Sequence, residues 1–496
     1  SLDVIALSEK LQDLLQQASS LTHEEYNNHI SSILTKSLQE HNSLSPGSLH
    51  HFSKEVNGFQ NFMKHEDIDE VFWQLRNGQH HLPVKSHTKR NFPGSALVDW
   101  LLKFYPEYLA NRGDARLVCD YLLQEKRYIS HNKYSFRDDN TEFNYTLQKR
   151  IVIVGGGFGG VTLAKQLEKD YQVILVSDSE YFECIPSFPF IIGDPNHVSK
   201  IRANYTSFLQ KTQVIKQKVI KVTERFIKLS DNTLIKFDNL VLATGSYYRM
   251  PFADEKNVFN GTKSEDMIKA SKILETATSA CIVGTGSVGI EIAGEIIAKY
   301  PKVKLTIISS SELFLERSVP DAHKNVLDYF SSFPKEQVRL IMGERLQSYK
   351  DGIVSTEKGS AETVDMLFPC LGFIPNTDIL KEEMSEILDE KGYLKMNYFL
   401  QLEGFHHIFA VGDITPFDVE KLAQNAEAHA DIVANNIIAL EKGQKLKKYS
   451  PSDRITLISL GPKRCLMINN GHVLIDGATT RILKSFVEKK IMFNKK

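Results

Sequence analysis

A chain of 496 residues is long enough for roughly two to four domains, each with its own core. Its apolar share of 42%, charged share of 24% and formal net charge of -1 are those of an ordinary globular protein and give no reason to expect a nucleic-acid partner. Five scattered cysteines without a C-x-x-C pair exclude a zinc or disulfide framework, and neither a spanning apolar run of ~20 residues nor a secretory h-region is present, so a soluble or peripheral, cytoplasmic protein is expected.

Residues 1–64 read as a helical arm. Ile5, Leu7, Leu11, Leu14 and Leu15 form one apolar stripe, and Tyr26, Ile30, Ile33, Leu34 and Leu38 form a second behind a Thr22 cap. Packing is the simple role for such an arm; a regulatory or homodimer contact is the sharper one. Residues 65–148 follow as a compact unit. Helices are expected at Asp67–Leu75, at Ser95–Phe104 with Ser95 as cap, and near Leu117–Gln124, with short strands around Tyr128–Ile129, Tyr134–Phe136 and Asn144–Leu147. Phe92-Pro93-Gly94-Ser95-Ala96-Leu97-Val98-Asp99-Trp100-Leu101-Leu102 resembles the signature of DEP domains, and Tyr128-Ile129-Ser130-His131 and Tyr134-Ser135-Phe136 resemble that family's last strands. The resemblance implies an adaptor that docks on membranes or membrane proteins. The family's basic arm then falls on Lys85, Lys89 and Arg90, each adding roughly 1 kcal/mol against anionic lipid. Val98, Trp100 and Leu101 are expected in the core.

The pattern changes at residue 149. Ile151-Val152-Ile153-Val154 runs into Gly155, Gly157 and Gly160 on the G-x-G-x-x-G spacing, with a helix expected over Val161–Glu168. In this arrangement the first glycine makes the turn, the second lets the backbone approach a pyrophosphate, and the third lets helix and strand pack closely. Gln172-Val173-Ile174-Leu175-Val176 is the second strand. The acid expected at its end to bind ribose is replaced by Ser177, leaving Asp178 as the candidate. Asp238–Ser246 is a further strand that ends in Ala243-Thr244-Gly245. A second fingerprint, Gly284, Gly286 and Gly289, follows the strand Ala280–Val283, and two such motifs argue far more strongly than one. The next strand, Val303–Ile308, ends on Ser309-Ser310-Ser311. That ending favours neither NADH nor NADPH.

Residues 150–496 resemble the two-dinucleotide FAD/NAD(P) oxidoreductases, within them the type II NADH:quinone oxidoreductases and the apoptosis-inducing-factor-like group that includes ferroptosis suppressors. The marks are the paired fingerprints, Ala243-Thr244-Gly245, Ile408-Phe409-Ala410-Val411-Gly412-Asp413, Ser177-x-x-x-Tyr181-Phe182-x-x-x-Pro186 and Lys421-Leu422-Ala423 with Ala426 and His429. The implied fold class is α/β: two Rossmann-like dinucleotide-binding domains, for FAD and NAD(P), preceded by an α+β, winged-helix-like DEP domain and the helical arm. The implied boundaries are 149–262 and 365–440 for the FAD domain, 263–364 for the NAD(P)H domain and 441–496 for a membrane-proximal tail. FAD is expected at the first fingerprint with Thr244, Gly245, Gly412 and Asp413, the last accepting a hydrogen bond from the ribityl chain; NADH or NADPH is expected at the second.

Glu291, just past the second fingerprint, is placed to face the nicotinamide. Lys421, Asn425 and His429 have the spacing of one helical face, with Lys421 to stabilise negative charge and His429 to relay a proton. The tail Ile482–Phe493 alternates apolar residues with lysines and reads as a basic amphipathic helix for an anionic membrane surface. The expected activity is hydride transfer from NAD(P)H to FAD and then reduction of a quinone, at a membrane that includes the mitochondrial one among the candidates. Two alternatives stand beside it: a reductase of a protein electron carrier, and a redox-sensing adaptor in signal transduction with slow turnover. Cys184 leaves room for a single redox thiol; Cys281 and Cys370 read as core.

Overall fold

The computed structural model describes residues 91–106, 109, 111–124, 129–130, 142–145, 149–316, 321–452, 455–469, 472–493 and 495. The helical arm, Lys85, Lys89, Arg90 and the strand expected at Tyr134–Phe136 lie outside them. The chain divides into two compact units at Gln148 and Lys149.

In the first unit, the strands Asn91–Pro93, Glu142–Tyr145 and Ile129–Ser130 form an antiparallel sheet with Glu142–Tyr145 in the middle. The helix Gly94–Phe104 buries Leu97, Val98, Trp100 and Leu101, which gives the signature tryptophan a core role. Its cap is Pro93 rather than Ser95, and no side chain bonds the first turn. Proline in extended backbone positions the chain at this start without needing a donor of its own. The second helix starts at Arg112, ahead of the expected Leu117. Asn111 explains the extra turn, because its Oδ1 accepts the Gly113 and Asp114 N–H groups at 2.7 and 3.1 Å.

The second unit carries two parallel sheets. The first has strand order Ile408–Ala410, Asn239–Leu242, Arg150–Val154, Gln172–Ser177, Gln213–Lys216. Its central strand is buried at every position, as a parallel strand covered on both faces must be. The second sheet has the order Val338–Met342, Lys304–Ser309, Ser279–Val283, Leu367–Pro369. The chain passes between them twice, and the two passages are joined: Ser246–Tyr248 pairs antiparallel with Phe373–Pro375, and Thr244 Oγ1 donates to Asn376 O at 2.6 Å.

Each fingerprint helix starts directly on its second glycine. The first spans Phe158–Leu167, three residues earlier than the expected Val161, and the second spans Ser287–Lys299. The tail forms an antiparallel sheet of Thr456–Ser459, Cys465–Asn469 and His472–Gly477, followed by the helix Ala478–Phe493. It docks where Gly294 removes a side chain from the second fingerprint helix. A Cβ there would lie 2.3 Å from Gly461 N. The close approach brings the Ser459 backbone to Glu291.

Candidate active site

The two glycine turns are built alike. Gly155 has φ 110° and Gly284 φ 109°, a left-handed conformation that a side chain resists. A Cβ on Gly155 would meet Ala243 O at 2.2 Å, and one on Gly160 would meet Gly155 O at 2.0 Å. In the second turn, Gly284 faces Cys370 O at 2.2 Å and Gly289 faces Gly284 O at 2.3 Å. Gly157 and Gly286 differ from these. A Cβ on either would meet nothing within 4 Å, and each is the extended N-cap of a helix whose first turn has no side-chain cap. Bare backbone and helix N–H groups therefore face a cavity at both turns, which is the cradle a pyrophosphate needs.

The cavity of about 580 Å³ at the first turn is lined by Gly155, Gly157, Asp178, Thr244, Gly245, Gly412 and Asp413. Gly160 is absent from its wall, consistent with its packing duty. Asp178 is exposed at the second strand's end, whereas Ser177 is buried there and bonded to the Tyr205 hydroxyl at 3.3 Å. Tyr205 is a contributor that the sequence does not announce. Its hydroxyl donates to Gly156 O at 3.0 Å and fills the place of a Gly156 side chain. Burial pushes that hydroxyl up to about 12, so it stays a neutral donor that fixes the turn. Asp413 follows Gly412 at φ 79°. Its Oδ2 accepts from Ser246 Oγ at 2.6 Å, and burial pushes its carboxyl up against the opposing pull of Ser246 and Lys421.

The cavity of about 1260 Å³ at the second turn is lined by Gly284, Gly286 and Gly289 and by Ser309–Ser311. The two cavities share Tyr248, Ser287, Val288, Phe373, Lys421 and Leu422, together with Thr456 and Ile458 of the tail.

Lys421 sits at the junction, but not on a helix. The helix Ala423–Glu441 starts behind it, with Leu422 as an extended N-cap, so the shared face expected for Lys421, Asn425 and His429 does not form. Lys421 Nζ instead donates to Thr415 O at 2.7 Å and Phe417 O at 3.2 Å and lies 4.9 Å from the Tyr393 ring centre. Asn425 donates to Glu420 O at 2.8 Å. His429 is buried outside both linings, packed on Tyr449 and Phe417, and its Nδ1 accepts the Gly412 N–H at 3.1 Å. That geometry supports the Gly412 turn.

Glu291 lines the smaller cavity but is not an open carboxylate. Its Oε1 accepts the Ser459 N–H at 2.9 Å and an ion pair from Lys484 of the C-terminal helix. One turn along, Glu295 is buried, and desolvation with Glu291 beside it pushes its carboxyl up to about 7 against the pull of Arg481, Lys484 and His197. The sign follows from proton count. Between its ordinary value and about 7 the folded form binds more protons, so Glu295 lowers stability as pH rises through this window. Glu295→Gln is expected to leave stability unchanged near pH 4 and to raise it by about 3 kcal/mol at pH 8, because each tenfold gain in proton affinity on folding is worth ~1.4 kcal/mol. Urea titrations at the two pH values check this, and an equal effect at both would refute it.

The cysteines give no redox pair. All five are free and buried, and burial pushes the Cys184 thiol up to about 11, away from the thiolate a redox role requires. Among the described residues no cluster of ligating side chains could hold a metal ion.

The family model described as pyridine nucleotide-disulphide oxidoreductase matches residues 149–430, more than half of the chain. Apoptosis-inducing factor homolog A of Dictyostelium discoideum is 32% identical over 366 residues, covering 68% of this chain and 89% of its own. Ferroptosis suppressor protein 1 of Mus musculus is 30% identical, over 63% and 86%. Among solved structures, the sulfide:quinone oxidoreductase of Aquifex aeolicus superposes with TM-score 0.61 at 20% identity, over 70% of this chain and 91% of that one. NDH2 of Plasmodium falciparum, solved with NADH, gives TM-score 0.60 at 16% identity, over 68% and 94%. The structural likenesses speak for the fold alone. With two open glycine cradles meeting at one wall, the chain belongs to the pyridine nucleotide-disulphide oxidoreductase family and is an FAD-dependent NAD(P)H oxidoreductase.

Proposed function

We propose that this protein is an NAD(P)H:quinone oxidoreductase working at a membrane surface. The observation that carries the reading is the junction of the two cavities, which holds a lysine and lacks any cysteine pair, and so supports an acceptor other than a disulfide of this chain. FAD fits the smaller cavity, where Gly157 leaves room for its pyrophosphate, and when bound it would accept hydride and hand on electrons. The larger cavity takes the nicotinamide nucleotide. Tyr248 and Phe373 at the shared wall would shield the bound nucleotides from water. Lys421, fixed by two carbonyls, would place a positive charge beside a bound flavin or its acceptor.

The membrane part of the proposal rests on the C-terminal helix. Its outer face exposes Ile482, Leu483, Phe486, Val487 and Phe493 beside Lys489 and Lys490, while Lys484 of the same helix lines the smaller cavity. An apolar face edged by lysines suits a helix lying in an anionic interface. A DEP-like role for the first unit would add a second weak attachment, and two weak signals are what stable peripheral binding needs.

One experiment tests acceptor and surface together. The protein is reduced anaerobically with NADPH or NADH, then mixed with ubiquinone in anionic or neutral vesicles. Bleaching of the flavin band followed by recovery, faster with anionic vesicles and slowed by salt, is expected. Reduced flavin that ignores quinone in both kinds of vesicle would sink the quinone reading, and equal rates in both would sink the surface reading.

A further inference from the structure

We propose that the larger cavity is built for a 2′-phosphorylated nucleotide, with Arg345 and Ser310 reading the phosphate. This rests on the reading of that cavity as the nicotinamide-nucleotide site. In a dinucleotide fold the end of the strand after the glycine turn lies beside the adenosine ribose, where an acid binds the 2′-hydroxyl and an arginine accommodates a 2′-phosphate. Here that strand, Lys304–Ser309, is locked to the turn by Thr285 Oγ1 and Ser309 Oγ, 2.9 Å apart. Ser309 Oγ also accepts the Ser311 N–H, and Ser311 Oγ accepts the Leu313 N–H. Ser310, exposed on the cavity wall, is the serine of the three that points its hydroxyl to neither of these tasks.

The neighbouring strand brings the arginine. Glu344 N donates to Ser309 O at 2.9 Å and Gly343 N to Ser311 O at 3.3 Å, which fixes Arg345 next to the serine run. Arg345 lines the cavity. The two nearest acids point elsewhere: Glu312 lies against Gly343, and Glu344 accepts from Thr356 Oγ1. Neither is on the wall. Glu316 is on it, but follows Leu315, whose N–H is bonded to Thr285 O on the glycine-turn side. A phosphate of charge about -1.5 to -2 would meet the planar guanidinium of Arg345 and the hydroxyl of Ser310 on this wall, whose acids are Glu316 and Glu420.

The test uses 2′,5′-ADP and 5′-AMP, which differ in the discriminating phosphate and carry no nicotinamide, with binding to the full-length flavoprotein measured by calorimetry. Wild type is expected to bind 2′,5′-ADP ~10- to 100-fold more tightly than 5′-AMP, the range set by one or two charge-assisted hydrogen bonds. Arg345→Ala should erase that preference and leave 5′-AMP binding unchanged, which also reports an intact fold. Ser310→Asp should reverse it. Equal affinities in wild type, a preference that survives Arg345→Ala, binding of neither probe, or 5′-AMP binding that depends on Glu316 in an E316Q variant would each overturn the assignment. A preference for 2′,5′-ADP in a protein that reduces no quinone would leave this inference standing and remove the acceptor reading.

Discussion

Replacing Lys484 by methionine should destabilise the second unit by about 3–5 kcal/mol, the cost of leaving one member of a buried ion pair without its partner. The side chains of Lys484 and Glu291 are only 10% and 7% exposed, so water can take over little of the charge left on Glu291. Methionine keeps the volume and the contact with Phe190, over whose ring the ammonium lies at 5.1 Å, so packing loss is small and the charge term dominates. The double variant E291Q/K484M is the decisive companion. A neutral glutamine still accepts the Ser459 N–H, and replacing both charges of a buried pair is often neutral. Urea midpoints should therefore fall for K484M and recover in the double variant. A loss that persists in full in the double variant would mean that Lys484 acts through shape alone. The pair also joins structure to function, because the same two residues stand on the wall of the smaller cavity and fasten the C-terminal helix to the second fingerprint helix.

Nothing local in the sequence announces that pair. Glu291 and Lys484 are 193 positions apart, and the lysine is one of several in a helix whose periodicity reads as a basic face for lipid. The glycine turns are legible for the opposite reason. Their spacing is enforced by backbone that would stand 2.0–2.3 Å from any added Cβ, within a few residues or across one neighbouring strand, so the constraint is written in the motif. His429 and Lys421 lie between these extremes. Their i, i+8 spacing suggests one face, but the extended backbone at Leu422 starts the helix too late to include Lys421. Helical spacing predicts a shared face only if the helix spans both ends, and helix starts are set by capping and tertiary contacts that spacing does not encode. Tyr205 is invisible for a related reason. Its partners Gly156 and Ser177 come from separate elements, and only the folded sheet brings the three together.

Within the first turn, two glycines three residues apart should fail in different ways. Gly160→Val would drive a side chain into Gly155 O, which stands 2.0 Å from the Cβ position, and into the strand–helix contact beneath it. Backbone cannot move aside there without breaking the Gly155 N–H bond to Val176 O at 2.8 Å. The expected result is loss of soluble protein, since overpacking at a buried contact costs ~1–3 kcal/mol or more and the turn has no slack to absorb it. A Cβ at Gly157 meets no protein atom within 4 Å, and the residue sits in extended backbone that leucine adopts freely. That variant should fold with wild-type circular dichroism and thermal midpoint in the absence of flavin. Its side chain, however, would project into the cavity at the helix N-terminus and displace the phosphate from the bare N–H groups there. Purified Gly157→Leu protein should therefore carry less than about a tenth of the wild-type flavin absorbance, a loss of ~1.4 kcal/mol or more in binding. The mirror position Gly286→Leu separates the two nucleotides: it should keep the flavin and lose nucleotide-dependent bleaching. Full flavin content in the Gly157→Leu protein would show that the smaller cavity is not where the pyrophosphate lies. The reciprocal pattern, one variant yellow and unreactive and the other colourless, would assign each glycine cradle to its own dinucleotide, a distinction that no global stability measurement can make.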